Sequence, residues 1–194
     1  KTARQVNGRF VRVELPGRQR TLTLAEVEVL SDGVNLARKG TAKQSSTSNG
    51  GEASRAIDGN RSGDFSSGAQ THTQEGTNNP WWEVDLGGEF PIDSVVIFNR
   101  TDGNLGNRLS NHTIKVLDSA RKTVFQKAGL PAPATSAKVD VGGESPDRAL
   151  RAETMLAMVA VRGQEEKTFA TLAARVKADK DRLQAVRALS RLPR

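Results

Sequence analysis

The chain has 194 residues, 36% apolar and 26% charged, with a formal net charge of +7 and no cysteine. A disulfide framework and a thiolate metal site are therefore excluded, and no apolar run is long enough to span a membrane. From Pro146 onward 11 Lys and Arg face 6 Asp and Glu, so most of the charge sits late. A nucleic-acid surface would have to lie there, and the rest of the chain supports none.

In chain order, Phe10-Val-Arg-Val-Glu-Leu15 alternates and puts Val11, Val13 and Leu15 on one face of a strand. Pro16-Gly17 starts a turn. Thr21 to Leu30 reads as a second strand whose phase changes: Leu22 and Leu24 are even, Val27 and Val29 odd. A β-bulge at Ala25-Glu26 would absorb the extra residue, either as an edge irregularity or to re-aim Glu26 as a ligand. Asn35 to Ala37 and Ala42 to Ser46 are short strand candidates, and Glu52 to Ile57 suits one helical turn.

The stretch Asp58 to Gly68 is rich in glycine and oxygen donors. It suits either an ordinary Gly/Asn turn or a loop that wraps a hard cation, with Asp58 and Asn60 as the side chains of choice. Trp81 to Leu86 reads as a strand with one Trp in the core and the other at the rim, since neighbours on a strand face opposite ways. Ile92 to Phe98 is the most apolar strand, Thr113 to Leu117 and Thr123 to Phe125 form a hairpin, and Ala137 to Val141 closes the β region.

The pattern then turns helical. Asp147 to Val161, Lys167 to Lys177 (Phe169, Leu172, Ala173 and Val176) and Asp179 to Leu192 carry apolar residues at helical spacing. Their basic residues interleave with acids, as on a solvated face. The expected organisation is a β-sandwich over residues 1–144 and a helical tail over 145–194, about three short helices, as in part of a helical repeat. A chain that opens on Lys1 without Met or a signal-like segment reads as a piece of a longer protein.

One group of residues draws the chemistry together. His72, Arg100 and Arg108, with Asp102 between the arginines, each stand at a strand end or in the loop beside one. A sandwich can bring such loops together. An imidazole and two guanidiniums make a donor-rich socket suited to the vicinal hydroxyls of a sugar. Catalysis is not expected: Asp102 beside two arginines is held ionised and suits neither a general acid nor a strong base, and no spacing suggests a Ser-His-Asp set.

Asn35-Leu-Ala-Arg-Lys-Gly, Ala53-Ser-Arg-Ala-Ile-Asp-Gly-Asn60, Thr71-His-Thr, Asn79-Pro-Trp-Trp-Glu-Val-Asp-Leu-Gly87 and Val96-Ile-Phe-Asn-Arg-Thr-Asp102 resemble the F-type lectin (fucolectin) domain. That family is a branch of the discoidin, or coagulation-factor (F5/8) type C, sandwiches. The resemblance implies a mainly β fold, a discoidin-like jelly-roll followed here by a short helical segment. It implies that His72, Arg100 and Arg108 hold L-fucose, that Asp102 orients an arginine and that Phe65 lies near the fucose methyl. Leu105 falls where many relatives carry adjacent cysteines, and is expected to supply an apolar wall. A structural Ca2+ is implied at Asp58, Asn60 and Glu26 with the backbone carbonyls of Arg55 and Ala69.

The family's last strands resemble Phe10 to Leu30, which here come first. A circular permutation is therefore expected, in which residues 9–30 pair into the sheet of residues 35–141; close termini make this tolerable. The resemblance implies a non-catalytic carbohydrate-binding module of a larger, extracellular or periplasmic, bacterial-type protein, and an enzyme is one candidate for that parent. Its partner would be a fucosylated glycan or another deoxyhexose-containing polysaccharide, with no membrane insertion and no nucleic acid. The competing reading is a non-catalytic scaffold whose basic tail meets protein or nucleic acid.

Overall fold

The computed structural model describes residues 5–142 and 165–177, with Ala185 and Ala188 beyond them. Gln5–Gly142 forms one compact unit. Its strands are β1 (Val6–Glu14), β2 (Glu26–Ser31), β3 (Val34–Asn35), β4 (Thr41–Gln44), β5 (Trp81–Ile92), β6 (Ser94–Phe98), β7 (His112–Leu117), β8 (Thr123–Leu130) and β9 (Ser136–Asp140). They form a five-stranded sheet in the order β4-β5-β1-β7-β8 and a four-stranded sheet in the order β3-β2-β6-β9. All pairings are antiparallel.

The core lies between the sheets and takes one face of each. Val11 and Val13 of β1, Trp82 and Val84 of β5 and Ile114 and Val116 of β7 meet Val27 and Val29 of β2, Val95 and Ile97 of β6 and Val139 of β9. The period-2 pattern of β1 explains this: Arg12, between the two valines, points out and lies over the half-buried Trp81 ring at 4.0 Å. Trp82 fills the core, and its indole N–H donates to Ala53 O at 2.9 Å. The expected division of the two tryptophans thus holds.

The first strands are structural members of both sheets. β1 lies between β5 and β7, and β2 between β3 and β6. Removing them would leave four unpaired strand edges.

Four local expectations need correction. The second strand begins at Glu26, not Thr21. The β2–β6 register runs unbroken from Glu26↔Phe98 to Leu30↔Ser94, so Glu26 sits in no bulge. The phase change falls at the strand boundary instead, where Thr21–Leu24 leave the ladder and bond to residues 71–73. In the third segment only Val34–Asn35 pair as a strand; Asn35 Oδ1 then accepts from Ala37 N and starts a 3-10 turn over Leu36–Lys39. β5 runs on through Gly87 and Pro91 to Ile92, and β6 starts afresh at Ser94. An irregularity in β1 between Gly8 and Phe10 accommodates the longer β5.

The second unit contains α1 (Glu165–Lys177), which encloses the middle expected helix. Leu172 is buried, but Phe169 is 58% exposed and lies off the covered face. The expected helices over 147–161 and 179–192 lie outside the described residues, apart from the helical, buried Ala185 and Ala188. No helix among the described residues is long and apolar enough to cross a membrane.

Candidate functional site

His72 is positioned by its neighbours. Thr71 and Thr73 lie against the extended Thr21–Leu24 segment, and each uses two groups. Their amides donate to Leu24 O and Leu22 O at 2.9 and 3.1 Å. Their hydroxyls accept from Leu24 N and Leu22 N at 3.0 and 2.9 Å. On the other side His72 N donates to Gly51 O at 2.9 Å. A Cβ on Gly51 would stand 2.4 Å from His72 N, so only glycine allows this approach. The backbone of His72 is therefore clamped from two directions.

The ring is buried, and its Nδ1 lies 2.7 Å from Thr73 O. A carbonyl can only accept, so Nδ1 carries the proton and Nε2 of the neutral ring is an acceptor. Nε2 stands 3.9 Å from a carboxylate oxygen of Glu75.

Arg100 leaves the end of β6. Asn99, just before it, fixes the following loop: its amide donates to Gly106 O at 3.0 Å and Pro133 O at 2.8 Å, and its Oδ1 accepts from Arg100 N at 2.9 Å. The buried Arg100 guanidinium is forked onto Asp102, with Nε at 2.6 Å and Nη2 at 2.9 Å. That pairing holds the Asp102 carboxyl below its ordinary range. The other face of Arg100 covers the Phe65 ring at 4.8 Å, and Phe65 meets the His72 ring edge-on at 5.8 Å between centroids. Thr101 N donates to Gly63 O at 2.8 Å, and a Cβ on Gly63 would clash with the Thr101 side chain at 2.3 Å. Glycine thus lets the 58–68 and 100–108 loops touch.

Arg108 completes the group. Its Nη2 donates to Glu75 at 3.1 Å, and its Nη1 is buried with no hydrogen-bond partner among the described residues. Arg20 braces its backbone by donating to Arg108 O and Ser110 O. Asp102, Arg100, Phe65, His72, Glu75 and Arg108 thus form one continuous string of contacts. Leu105 is half-buried at the turn between the arginines, its N donating to Asp102 O and its O accepting from Arg108 N. Glu75 and Asn99 escape a reading by residue type, because their roles depend on tertiary placement. The string presents buried nitrogen donors, one ring acceptor and an aromatic edge, a set fitted to a small polyhydroxylated ligand.

The oxygen-rich loop stands beside β2. Glu26 is fully buried, and its carboxylate accepts from Gly59 N at 3.1 and 3.2 Å. Burial pushes its carboxyl up to about 7; the Gly59 bond opposes this and the nearby Asp58 charge adds to it. Asp58 Oδ1 accepts from Asn60 N at 2.8 Å, and Asn60 Oδ1 from Ser62 N at 3.2 Å. Arg55 lies in the 3-10 turn Ala53–Ile57, and Ala69 is buried. The neighbouring Gln70 donates to Ser62 O at 2.9 Å, and its buried Oε1 has no partner among the described residues. Among the described residues no group of three or more His, Cys, Asp or Glu gathers as a metal cluster. The donors are two carboxylates with amide and carbonyl oxygens, a set that fits a hard cation and no soft one.

A two-sheet antiparallel sandwich with a loop-built socket at its end defines a ligand-binding module. The model of the F5/F8 type C family of NedA-like, galactose-binding domains matches residues 55–151, half of the chain, and the chain belongs to that family. It is 45% identical over 87 residues to a fucolectin of Anguilla anguilla, covering 42% of this chain and 54% of that one. It is 40% identical over 107 residues to fucolectin-1 of Anguilla japonica, covering 53% and 56%. The chain thus spans about half the length of these curated relatives. Among solved structures it is similar to the lectin domain of lectinolysin complexed with Lewis B antigen, at 37% identity and a TM-score of 0.53, covering 57% of this chain and 81% of that one. A fucose binding module of Streptococcus pneumoniae is similar at 38% identity and a TM-score of 0.52, covering 57% and 78%. By name these relatives are lectins and a fucose binding module.

Proposed function

We propose that this chain is a fucose-binding lectin domain, and that His72, Arg100 and Arg108 hold the sugar. The observation that carries the reading is the buried Nη1 of Arg108, which has no partner although it stands in the same contact string as His72 and Arg100. A buried donor left unpaired costs free energy that a ligand oxygen would recover. His72 Nε2 accepts from one sugar hydroxyl and Arg108 donates to its neighbour. Arg100, already aligned by Asp102, donates to a ring or hydroxyl oxygen. Phe65 and Leu105 offer apolar surface to the deoxy position.

Each charge-assisted hydrogen bond contributes roughly 1.5–3 kcal/mol before desolvation. Ordering and desolvation costs leave a single sugar bound at micromolar to millimolar strength, on the order of 4–8 kcal/mol. Useful retention then comes from several modules or several glycans.

Glu26 and Asp58, with Asn60 and the carbonyls of Arg55 and Ala69, would hold a structural calcium ion. It would add to the positive charge that Arg38 already brings towards Glu26, and so fix the 58–70 loop. The proposal extends to a sandwich over residues 1–144, a helical tail over 145–194 and a circular permutation. Support for the permutation is the central position of β1, drawn from before the family-matched residues 55–151. The natural setting would be a longer, secreted protein whose partner is a fucosylated glycan outside the cytoplasm.

Glycan-array binding with His72→Ala, Arg100→Ala and Arg108→Ala tests the reading. Selective retention of fucosylated glycans by the parent chain, lost in all three variants, is the expected result. Binding that free fucose does not compete away, but high salt abolishes, would instead favour an electrostatic scaffold.

A further inference from the structure

Glu75 links the two ends of the socket, Arg108 and His72. Its carboxylate accepts from Arg108 Nη2 at 3.1 Å and stands 3.9 Å from His72 Nε2, between the two side chains. It is also 62% exposed, so it lies at the mouth of the socket and can swing away.

The charges around the socket can be paired by name. Arg100 is matched by Asp102 through two short bonds. Among the described residues Arg108 is matched by Glu75. His72 donates its Nδ1–H to Thr73 O. Arg20 directs Nη2 to backbone carbonyls behind Arg108. A socket built on two arginines would ordinarily draw anions, because guanidinium forks fit carboxylates and sulfates as readily as hydroxyls. Glu75 takes the Nη2 arm of the Arg108 fork, and an anionic ligand reaching for the remaining Nη1 would meet a like charge at the entrance.

We infer that Glu75 is a specificity-determining residue that keeps the socket for neutral sugars and turns away sulfated or carboxylated ones. The inference rests on the sugar-binding reading of the same socket. A neutral hydroxyl can replace the carboxylate on Arg108, or share the guanidinium with it. An anion must do so against repulsion, and like charges set face to face discriminate strongly between partners. Because Glu75 is exposed, the discrimination weakens as salt screens it.

The test compares methyl α-L-fucoside with a fucose monosulfate by calorimetry, for the parent protein and Glu75→Gln. Glutamine keeps the shape and the acceptor and removes the charge. The preference for the neutral sugar is expected to drop by about tenfold in Glu75→Gln, with a smaller drop at high salt. Glu52→Gln, which removes an exposed charge elsewhere, is expected to leave the preference where it was. An unchanged preference in Glu75→Gln, or an equal shift in Glu52→Gln, overturns the inference. Should the parent chain bind no fucoside, the sugar reading fails separately. The Nε–H NMR signal of Arg108 under titration with inorganic sulfate then decides. Movement in Glu75→Gln alone upholds Glu75 as the charge filter, and equal movement in both proteins rejects it.

Discussion

The socket and the oxygen-rich loop beside it solve opposite electrostatic problems. In the socket the protein answers its own charges: Arg100 meets Asp102, Arg108 meets Glu75, and the His72 proton is fixed by Thr73 O. At Glu26 it does so only in part. A fully buried carboxylate has the Gly59 amide, the Asp58 carboxylate and the charge of Arg38 for company, and burial still raises it to about 7. A self-matched site is preorganised and can hold its shape before any ligand arrives. A site with buried charge of one sign is incomplete until something of the other sign enters. The account therefore expects damage to the socket to remove binding with the fold intact. Damage at Glu26, or loss of the cation, should loosen the loop and the fold first.

The largest effect is expected at Arg100. Arg100→Ala removes a donor, strands Asp102 and uncovers Phe65, so fucoside affinity should fall by a hundredfold or more, about 3 kcal/mol or above. Circular dichroism should still report a folded sandwich. If Arg100→Ala bound normally, the matched-charge description of the socket would be wrong.

Next is the cation. Chelation should lower the Tm of the parent chain by several degrees, since about 1 kcal/mol moves the Tm of a domain this size by roughly 2–8 °C. Glu26→Gln should melt at one temperature with or without calcium. A parent chain indifferent to both chelator and added calcium would contradict the contrast.

A smaller effect is expected at Asn99. Its side chain makes three bonds that hold the loop between the arginines. Asn99→Ala should cost about 1–3 kcal/mol of stability by leaving the part-buried Gly106 and Pro133 carbonyls and the Arg100 amide unpaired. Fucoside affinity should fall with it, as read by urea denaturation and calorimetry on the same protein.

The smallest is a pH effect beneath the socket. His112 opens β7, is buried, and its Nδ1–H donates to Leu109 O at 2.9 Å at the end of the Arg108 loop. Burial lowers its pKa from 6.5. Its contribution is fully present above the unfolded value of 6.5 and declines below it, because the unfolded chain takes up a proton that the buried ring resists. Between pH 7.5 and 5 the urea midpoint of the parent chain should therefore fall further than that of His112→Gln. With calcium saturating, other groups titrate alike in both proteins, so equal falls would remove His112 from the account. Asp102, shifted downward by Arg100, acts only below its unfolded value of 3.8 and leaves this window clear.

Much of the sandwich was legible because its strands alternate cleanly, as with Val11 and Val13 or the two tryptophans. The stretch 21–25 misled because Leu22 and Leu24 alternate just as strand residues do. Their partners are the hydroxyls of Thr71 and Thr73, some 50 residues on, and periodicity cannot distinguish a ladder from that arrangement. The family resemblance singled out the basic triad, and Phe65 and Glu75 link its members. Glu75 and Asn99 stayed hidden for one physical reason. An exposed acid and a loop asparagine are common anywhere, and only the fold puts one against Arg108 and the other against Gly106 and Pro133.

The most direct test of the socket follows the side-chain NMR signals of His72, Arg100 and Arg108 while methyl α-L-fucoside is added to the calcium-loaded protein. The account predicts that all three shift together along one saturating curve. Signals that stay fixed, or move at unrelated concentrations, would contradict it.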